Sequence, residues 1–382
     1  MNKTLALVNI IGLLIGISYG LHNPIVPLFA KNEIGASYAE LGIIGLANFV
    51  PYMFIPVFVG ILLGRFNNAH LLSVGILINS AATLLLSVSK TVPEVMALRA
   101  MTGVAHAFFW PPSEAIISNL SSAKDRVKNI GRFTGFFVSG FMIGPLIGTF
   151  LLEELDVSYR TMFQIATFVL MSAIMFSLYA SKGSPHRPSP RFSFLSIREI
   201  ARFPQVIAII VYCASSFGMI LTIYPAFLDD RNMTVIEIEI LYFVFGVARV
   251  ITLALTERLA RHTSVVLVSS TLCISAGLLL SFYATTIEEF SIAMLLMGFG
   301  FSIIFPLTLE IILRKTKKDE SGAAIGAFET IFGIGWAVGP LAAGMMSEFA
   351  GNASPYFVFF VLGIGIASLC IVRRKTLEPV ES

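Results

Sequence analysis

Six ionisable side chains interrupt the long apolar runs of this sequence: Arg99, His106, Glu114, Arg249, Glu310 and Glu329. A charge inside hydrocarbon is costly. Such a residue therefore marks either a pathway for a proton, ion or substrate, or a charge pair that holds helices together. A carboxyl group that exchanges a proton as its surroundings change is what a proton carrier requires. Glu329, deep in an otherwise apolar stretch, is the first candidate and Glu114 the second, with Arg126 of the next loop as an alternative partner for Glu114. Arg99 and His106 lie two helical turns apart and share a face, and Glu114 falls near it. Arg99 is thus a candidate for coupling or a structural anchor to the first helix. Arg249 is a candidate for binding an anionic group or pairing with Glu329.

His22 and Asn23 stand just before Pro24, whose missing N–H leaves a carbonyl of the preceding turn without its helical partner. An unwound helix at membrane depth exposes polar backbone, so both side chains are expected beside a vestibule. A histidine in such a place otherwise serves as a packing hydrogen-bond donor. Tyr19, Asn48, Trp110, Tyr212, Tyr224 and Trp336 supply aromatic and polar surface for a lipophilic substrate. Cys213, Cys273 and Cys370 are isolated in apolar segments, without metal-ligand or disulfide spacing. No nucleotide-binding glycine loop, metal-ligand cluster or nucleophile with a base occurs, so the sequence predicts neither an enzyme nor a cofactor or metal.

These groups need a scaffold, and composition indicates which. Hydrophobic residues make up 56% of the chain and charged ones 13%, where soluble domains carry about 25% charged residues. Roughly 20 apolar residues in helical form cross a hydrocarbon core, because each backbone amide must bond within its own segment. Apolar runs fall at roughly 4–30, 38–63, 69–89, 92–118, 131–152 and 158–180, then 206–228, 236–259, 264–285, 288–313, 322–347 and 354–372. The first is too long for a signal-peptide core and is expected to be retained. Residues 181–205 hold four prolines and five basic residues. They read as a cytoplasmic linker, either a short interfacial helix over 194–203 or a plain loop. The expected domains are 1–180, a six-helix bundle, the linker at 181–205, and 206–382, a second six-helix bundle.

With the amino terminus placed in the cytoplasm, twenty of the 26 Lys and Arg fall on the inner side. Only Lys31, Lys90, Arg160 and Arg231 fall outside, and Arg99 and Arg249 lie within helices. That asymmetry predicts cytoplasmic termini in a multi-pass protein of the cell membrane. Topology and lipid headgroups account for the basic loops, and no nucleic-acid partner is implied.

The two sets of six are related. At a constant offset of 195 residues, Pro111 meets Pro306, Gly131 meets Gly326, Phe133 meets Phe328, and Phe137 meets Phe332. Gly140 meets Gly335, Gly144-Pro145-Leu146 meets Gly339-Pro340-Leu341, and upstream Gly103 meets Gly298. Gly140, Gly144 and Gly148 recur every four residues on one face, as do Gly335 and Gly339, which suits close helix packing, and Pro145 and Pro340 can bend those helices. A duplicated, parallel pair of bundles suits a transporter that rocks about a substrate site between its halves.

These residues resemble the major facilitator superfamily along essentially the whole chain. Gly140 to Thr149 looks like the fifth-helix antiporter motif GxxxGPxxGG, departing only at Thr149. Arg99 with Gly103 looks like the fourth-helix Arg-x-x-x-Gly motif, whose arginine the resemblance associates with proton transfer. Gly60-Ile-Leu62-Leu-Gly64-Arg65-Phe-Asn67 resembles the inner loop GxLaDrxGrr, with Gly64 in place of the acid and Asn67 in place of the second glycine. Gly16, Gly20 and Pro24 to Phe29 look like the first helix of twelve-helix drug/proton antiporters, although Ile15 stands where tetracycline-type members carry an acid. The resemblance implies an all-α integral membrane fold of 12 transmembrane helices in two pseudo-symmetric six-helix bundles, working as a monomer. The expected function is proton-coupled efflux of drug-like or amphiphilic small molecules by alternating access. The alternatives are a uniporter or symporter of a sugar or organic anion and a non-transporting membrane sensor.

Overall fold

The computed structural model describes residues 3–63, 65–121, 125–183, 204–314 and 321–372. All twelve apolar runs are helical, and no strand occurs among the described residues. The first six runs form α1 (Lys3–His22) with α2 (Ile25–Asn32), α3 (Tyr38–Leu63), α4 (Asn68–Leu86), α5 (Val92–Ala107) with α6 (Trp110–Leu120), α7 (Arg126–Glu154) and α8 (Tyr159–Ala180). The second six form α9 (Pro204–Thr222) with α10 (Tyr224–Asp230), α11 (Val235–Ala254) with the short α12 (Thr256–Leu259), α13 (Thr263–Tyr283), α14 (Ile287–Arg314), α15 (Ser321–Ala350) and α16 (Ser354–Val372). The interfacial helix considered for 194–203 lies outside the described residues.

Ten of these stretches are long and apolar enough to cross a membrane. The other two runs fall short for local reasons. α11 carries Glu237, Glu239 and Arg249. The fourth run is broken at Phe108 and Phe109, because Pro111 and Pro112 stand together at the start of α6 and neither offers an N–H. At the matching place Pro306 is followed by Leu307, and α14 continues through it. One proline is accommodated where two end the helix.

Helix starts repeat as well. Thr91 and Glu94 form a reciprocal capping box at α5, and Thr286 and Glu289 make the same exchange at α14, again 195 residues on. Ser37 with Glu40 at α3 is matched by Thr234 with Glu237 at α11, at an offset of 197. The duplication therefore extends to the second and eighth runs, with its register shifted by two residues.

The chain divides into two compact units, Met1–Ala36 with Ala47–Arg191, and Ser37–Leu46 with Phe192–Ser382. In the first unit α1 lies along α7 and α8, and α4 lies along α5 and α8. In the second α9 lies along α15, α13 along α14 and α16, and α11 along α14. There the first turns of α3 are held by Tyr38, whose hydroxyl donates to Asp230 at 2.7 Å. Large apolar side chains such as Phe168, Met175 and Phe349 are 73%, 74% and 79% exposed, a surface matched to lipid rather than water.

Glycines let the helices touch through their backbones. A Cβ at Gly144 would stand 2.6 Å from the backbone of Gly20, and one at Gly339 would collide with the backbone of Ser215. Gly20 and Ser215 are themselves 195 residues apart, so the repeat includes α1 and α9. Around Gly131, by contrast, nothing lies within 4 Å of an added Cβ. Replacing Gly144 or Gly339 by leucine is therefore expected to cost more than the ~1–3 kcal/mol of ordinary overpacking, because backbone cannot move aside. Gly131→Ala should be neutral or stabilising by up to ~1 kcal/mol. Thermal unfolding in detergent checks both; a Gly144→Leu protein as stable as its parent would refute the close approach.

Candidate functional site

In the first unit a polar cluster is assembled where helices stop. α1 ends at His22 because Pro24 and Pro27 supply no N–H to the carbonyls before them, and α2 restarts at Ile25. The His22 Nδ1 lies 2.6 Å from the Ser18 carbonyl. A carbonyl only accepts, so Nδ1 carries the proton and Nε2 is left without a hydrogen-bond partner. Asn23, beside it, accepts a hydrogen bond at 3.2 Å from the Arg99 guanidinium on α5. Arg99 is 4% exposed, and its Nε has no partner.

Tyr19 is the hub. His106 stacks on its ring with centroids 4.9 Å apart, His22 lies 5.4 Å away, and its hydroxyl accepts from Asn79 of α4 at 3.2 Å. Tyr52 of α3 meets His106 edge-on at 6.3 Å. Asn48, also on α3, is set by the Thr102 hydroxyl, which lies 2.5 Å from its Oδ1 and 2.7 Å from the Arg99 carbonyl. Gly103 lets this happen, since a Cβ there would meet the carbonyl of Asn48. Four runs thus bring together one buried cation, two imidazoles and two phenols. The predicted stripe holds for Arg99 and His106, which share α5. Glu114 belongs to α6, beyond the double-proline break, so its place relative to that stripe does not follow from counting turns from His106.

The second unit holds an aromatic counterpart. The Arg249 guanidinium lies 5.0 Å from the Phe217 ring centroid and 5.4 Å from that of Phe245, both within cation–π reach. Trp336 stacks on Phe217 at 5.8 Å and meets Phe332 edge-on at 5.1 Å. The repeat is visible in the rings: Trp110 packs edge-on against Phe133 and Phe137 at 5.7 and 5.0 Å, as Phe305 does against Phe328 and Phe332 at 5.0 and 5.2 Å. Glu329 is buried on α15 next to Phe328. Glu310 is half-buried near the end of α14. Tyr224 is fully enclosed, its hydroxyl 2.6 Å from that of Ser281 and its ring edge-on to Tyr356.

Among the packing residues, Gly140, Gly144, Pro145 and Gly148 lie on α7, and Gly335, Gly339 and Pro340 on α15. Gly60 lies in α3 and Arg65 in the exposed turn after it, whereas Gly64 falls outside the described residues. Asn67, in place of a glycine, is the N-cap of α4: its Oδ1 accepts from the Ala69 N–H at 2.9 Å, and its Nδ2 donates to the Ser181 carbonyl at 3.0 Å. Sequence reasoning did not single out Asn79, Tyr52, Thr102 or Glu239. Asn79 and Glu239 carried a signal, each a polar residue within an apolar run. Glu239 follows the capping acid Glu237 by two residues, which turns it to the other side of α11.

A family model described as Major Facilitator Superfamily matches residues 8–307 and, in a second match, 214–382. Multidrug resistance protein 1 of Bacillus subtilis (strain 168) is 28% identical over 375 residues, covering 95% of this chain and 94% of that protein. Quinolone resistance protein NorA of Staphylococcus aureus (strain COL) is 22% identical over 383 residues, covering 97% and 96%. Among solved structures, the nucleoside transporter NupG superposes with a TM-score of 0.76 at 14% identity, covering 98% of this chain and 100% of that one.

The Arg99 cluster makes a quantitative expectation. Asn23→Ala removes the side-chain acceptor from a buried guanidinium, which should cost ~1–3 kcal/mol. Asn23→Asp supplies a carboxylate at the same place and should retain or exceed the parent's stability. Thermal unfolding of the two variants in one detergent checks the order; equal melting temperatures would sink the assigned contact.

Proposed function

The chain belongs to the major facilitator superfamily, and from that premise we propose that it exports drug-like or amphiphilic small molecules in exchange for protons, by alternating access. Membership makes it a membrane-spanning transporter and not an enzyme. Export of drugs is supported by the names of two relatives, a multidrug and a quinolone resistance protein, each aligned over nearly its whole length. One observation carries the coupled reading: Arg99 and Glu329 are buried, ionisable groups inside apolar helices, where purely structural packing would use apolar side chains.

In this reading Glu329 is the first candidate for the proton carrier and Glu114 the second, and Arg99 takes part in the coupling. His22, Asn23, His106, Tyr19 and Asn48 bind substrate from the first unit; Arg249, Tyr224 and Trp336 do so from the second. The excess of Lys and Arg in alternate loops supports cytoplasmic termini, and in this reading the protein works as a monomer in the cell membrane. A second reading, uniport or symport of an organic anion, draws on Arg249, whose guanidinium faces two aromatic rings.

Purified protein in liposomes, with a fluorescent quinolone as probe, tests the proposal. An imposed pH gradient should drive uphill quinolone movement, and Glu329→Gln should reduce that movement at least tenfold. Flux in the wild-type protein that ignores the gradient would exclude proton exchange and leave the anion uniporter.

A further inference from the structure

Glu239 is a buried carboxyl group of the second unit. Its side chain is fully buried, and neither carboxyl oxygen has a hydrogen-bond partner. It sits in the second turn of α11, whose start is fixed by the Thr234–Glu237 capping box. The cap is matched by Ser37 with Glu40 at an offset of 197, which places Gly42 of α3 opposite Glu239 in the repeat. Gly42 is a packing glycine: an added Cβ would stand 2.8 Å from the Pro340 carbonyl. Where one half of the molecule packs a hydrogen atom, the other buries a carboxyl group.

Among the described residues no hydrogen bond answers that group. Tyr242, one turn along α11, lies within electrostatic range of both Glu239 and Tyr224. Its hydroxyl is already donated to the Ile220 carbonyl, and that of Tyr224 is shared with Ser281. α14, packed along α11, carries its acids at its two ends: Glu288 and Glu289 in the first turn, where Glu289 holds the amides of Thr285 and Thr286, and Glu310 near the other end. α10 ends in Asp229 and Asp230, and Asp230 holds Tyr38 and Asn352. Of the cations, Arg231 donates to the carbonyls of Ala284 and Phe282, and Arg249 is ten residues along the helix, about 15 Å away. A carboxylate charge here would have no compensating donor, and such a charge costs several kcal/mol. The cation that compensates it must need no coordination shell. A metal ion needs several oxygen ligands, and no group of three or more His, Cys, Asp or Glu able to hold one occurs among the described residues. The proton needs one oxygen.

We propose that Glu239, enclosed one turn before Tyr242 on α11, is a proton-binding site of the second unit, additional to Glu329. The carboxylate takes up one proton from water while the site is open, holds it on a carboxyl oxygen while enclosed as here, and releases it to water when rearrangement of α11 opens the site again. The inference rests on the proton-exchange reading and names a further residue that performs it.

Three proteins are compared in liposomes with the fluorescent quinolone: wild type, Glu239→Gln and Glu329→Gln. For Glu239→Gln, uphill movement driven by the pH gradient should fall at least tenfold, while quinolone-for-quinolone exchange, which moves no net proton, persists. Gradient-driven movement within twofold of wild type would overturn the assignment. A wild-type protein indifferent to the gradient would instead overturn the exchange reading itself. Infrared difference spectra between acid and alkaline pH supply a second readout, which does not depend on Glu239→Gln folding. The wild-type protein should lose a protonated-carboxyl band on alkalinisation. That band should shift in Glu239→Asp and remain in Glu329→Gln. A band unaltered in Glu239→Asp, or absent from the wild type, would refute the site.

Discussion

Hydrocarbon offers a backbone amide no partner, so each N–H and C=O of a spanning segment must be bonded within the protein. Everything distinctive in this molecule can be traced to places where that demand is strained. Pro24 with Pro27 and Pro111 with Pro112 interrupt the helical ladder inside apolar runs, and the chain restarts as a new helix each time. Polar side chains gather beside such an interruption in the first unit: His22 folds back on the Ser18 carbonyl, and Asn23 accepts from Arg99. At helix starts the same demand is met by Thr91, Thr234 and Thr286, each paired with an acid three residues on.

Close approach is the second consequence. Helices with little to gain from excluding water must be held by contact, and contact is closest where no side chain intervenes. Gly144 on Gly20 and Gly339 on Ser215 are the same joint built twice. The joint brings α1 against α7, and α1 carries Tyr19, around which the first unit's polar cluster is organised.

The duplicated frame carries unduplicated charges. Arg99 falls at the position of Met294 and Glu329 at that of Thr134, while Glu239 stands where the first half has Gly42. Two copies of a scaffold give a transporter its mechanical symmetry; chemistry that differs between copies gives each half separate work. The cluster around Arg99 is imidazole, phenol and amide, whereas Arg249 rests on the rings of Phe217 and Phe245.

The sequence by itself determined the spans, the duplication and the family, because hydrophobic length and the spacing of Gly and Pro are local properties written in linear order. It also picked out Arg99, His106, Asn23 and Tyr19 as polar residues in apolar surroundings. Tertiary structure alone decided that these four meet, since Asn23 and Arg99 are 76 residues apart in the chain and join only where the break between α1 and α2 meets α5. It put Glu114 on α6, a separate helix from that of His106, because the double proline resets the helical count. It turned Asn67 into a helix cap, and it separated Glu237, in contact with its cap, from Glu239, two residues on and wholly enclosed. Which way a side chain faces depends on the partners packed around its helix, and that information is not local.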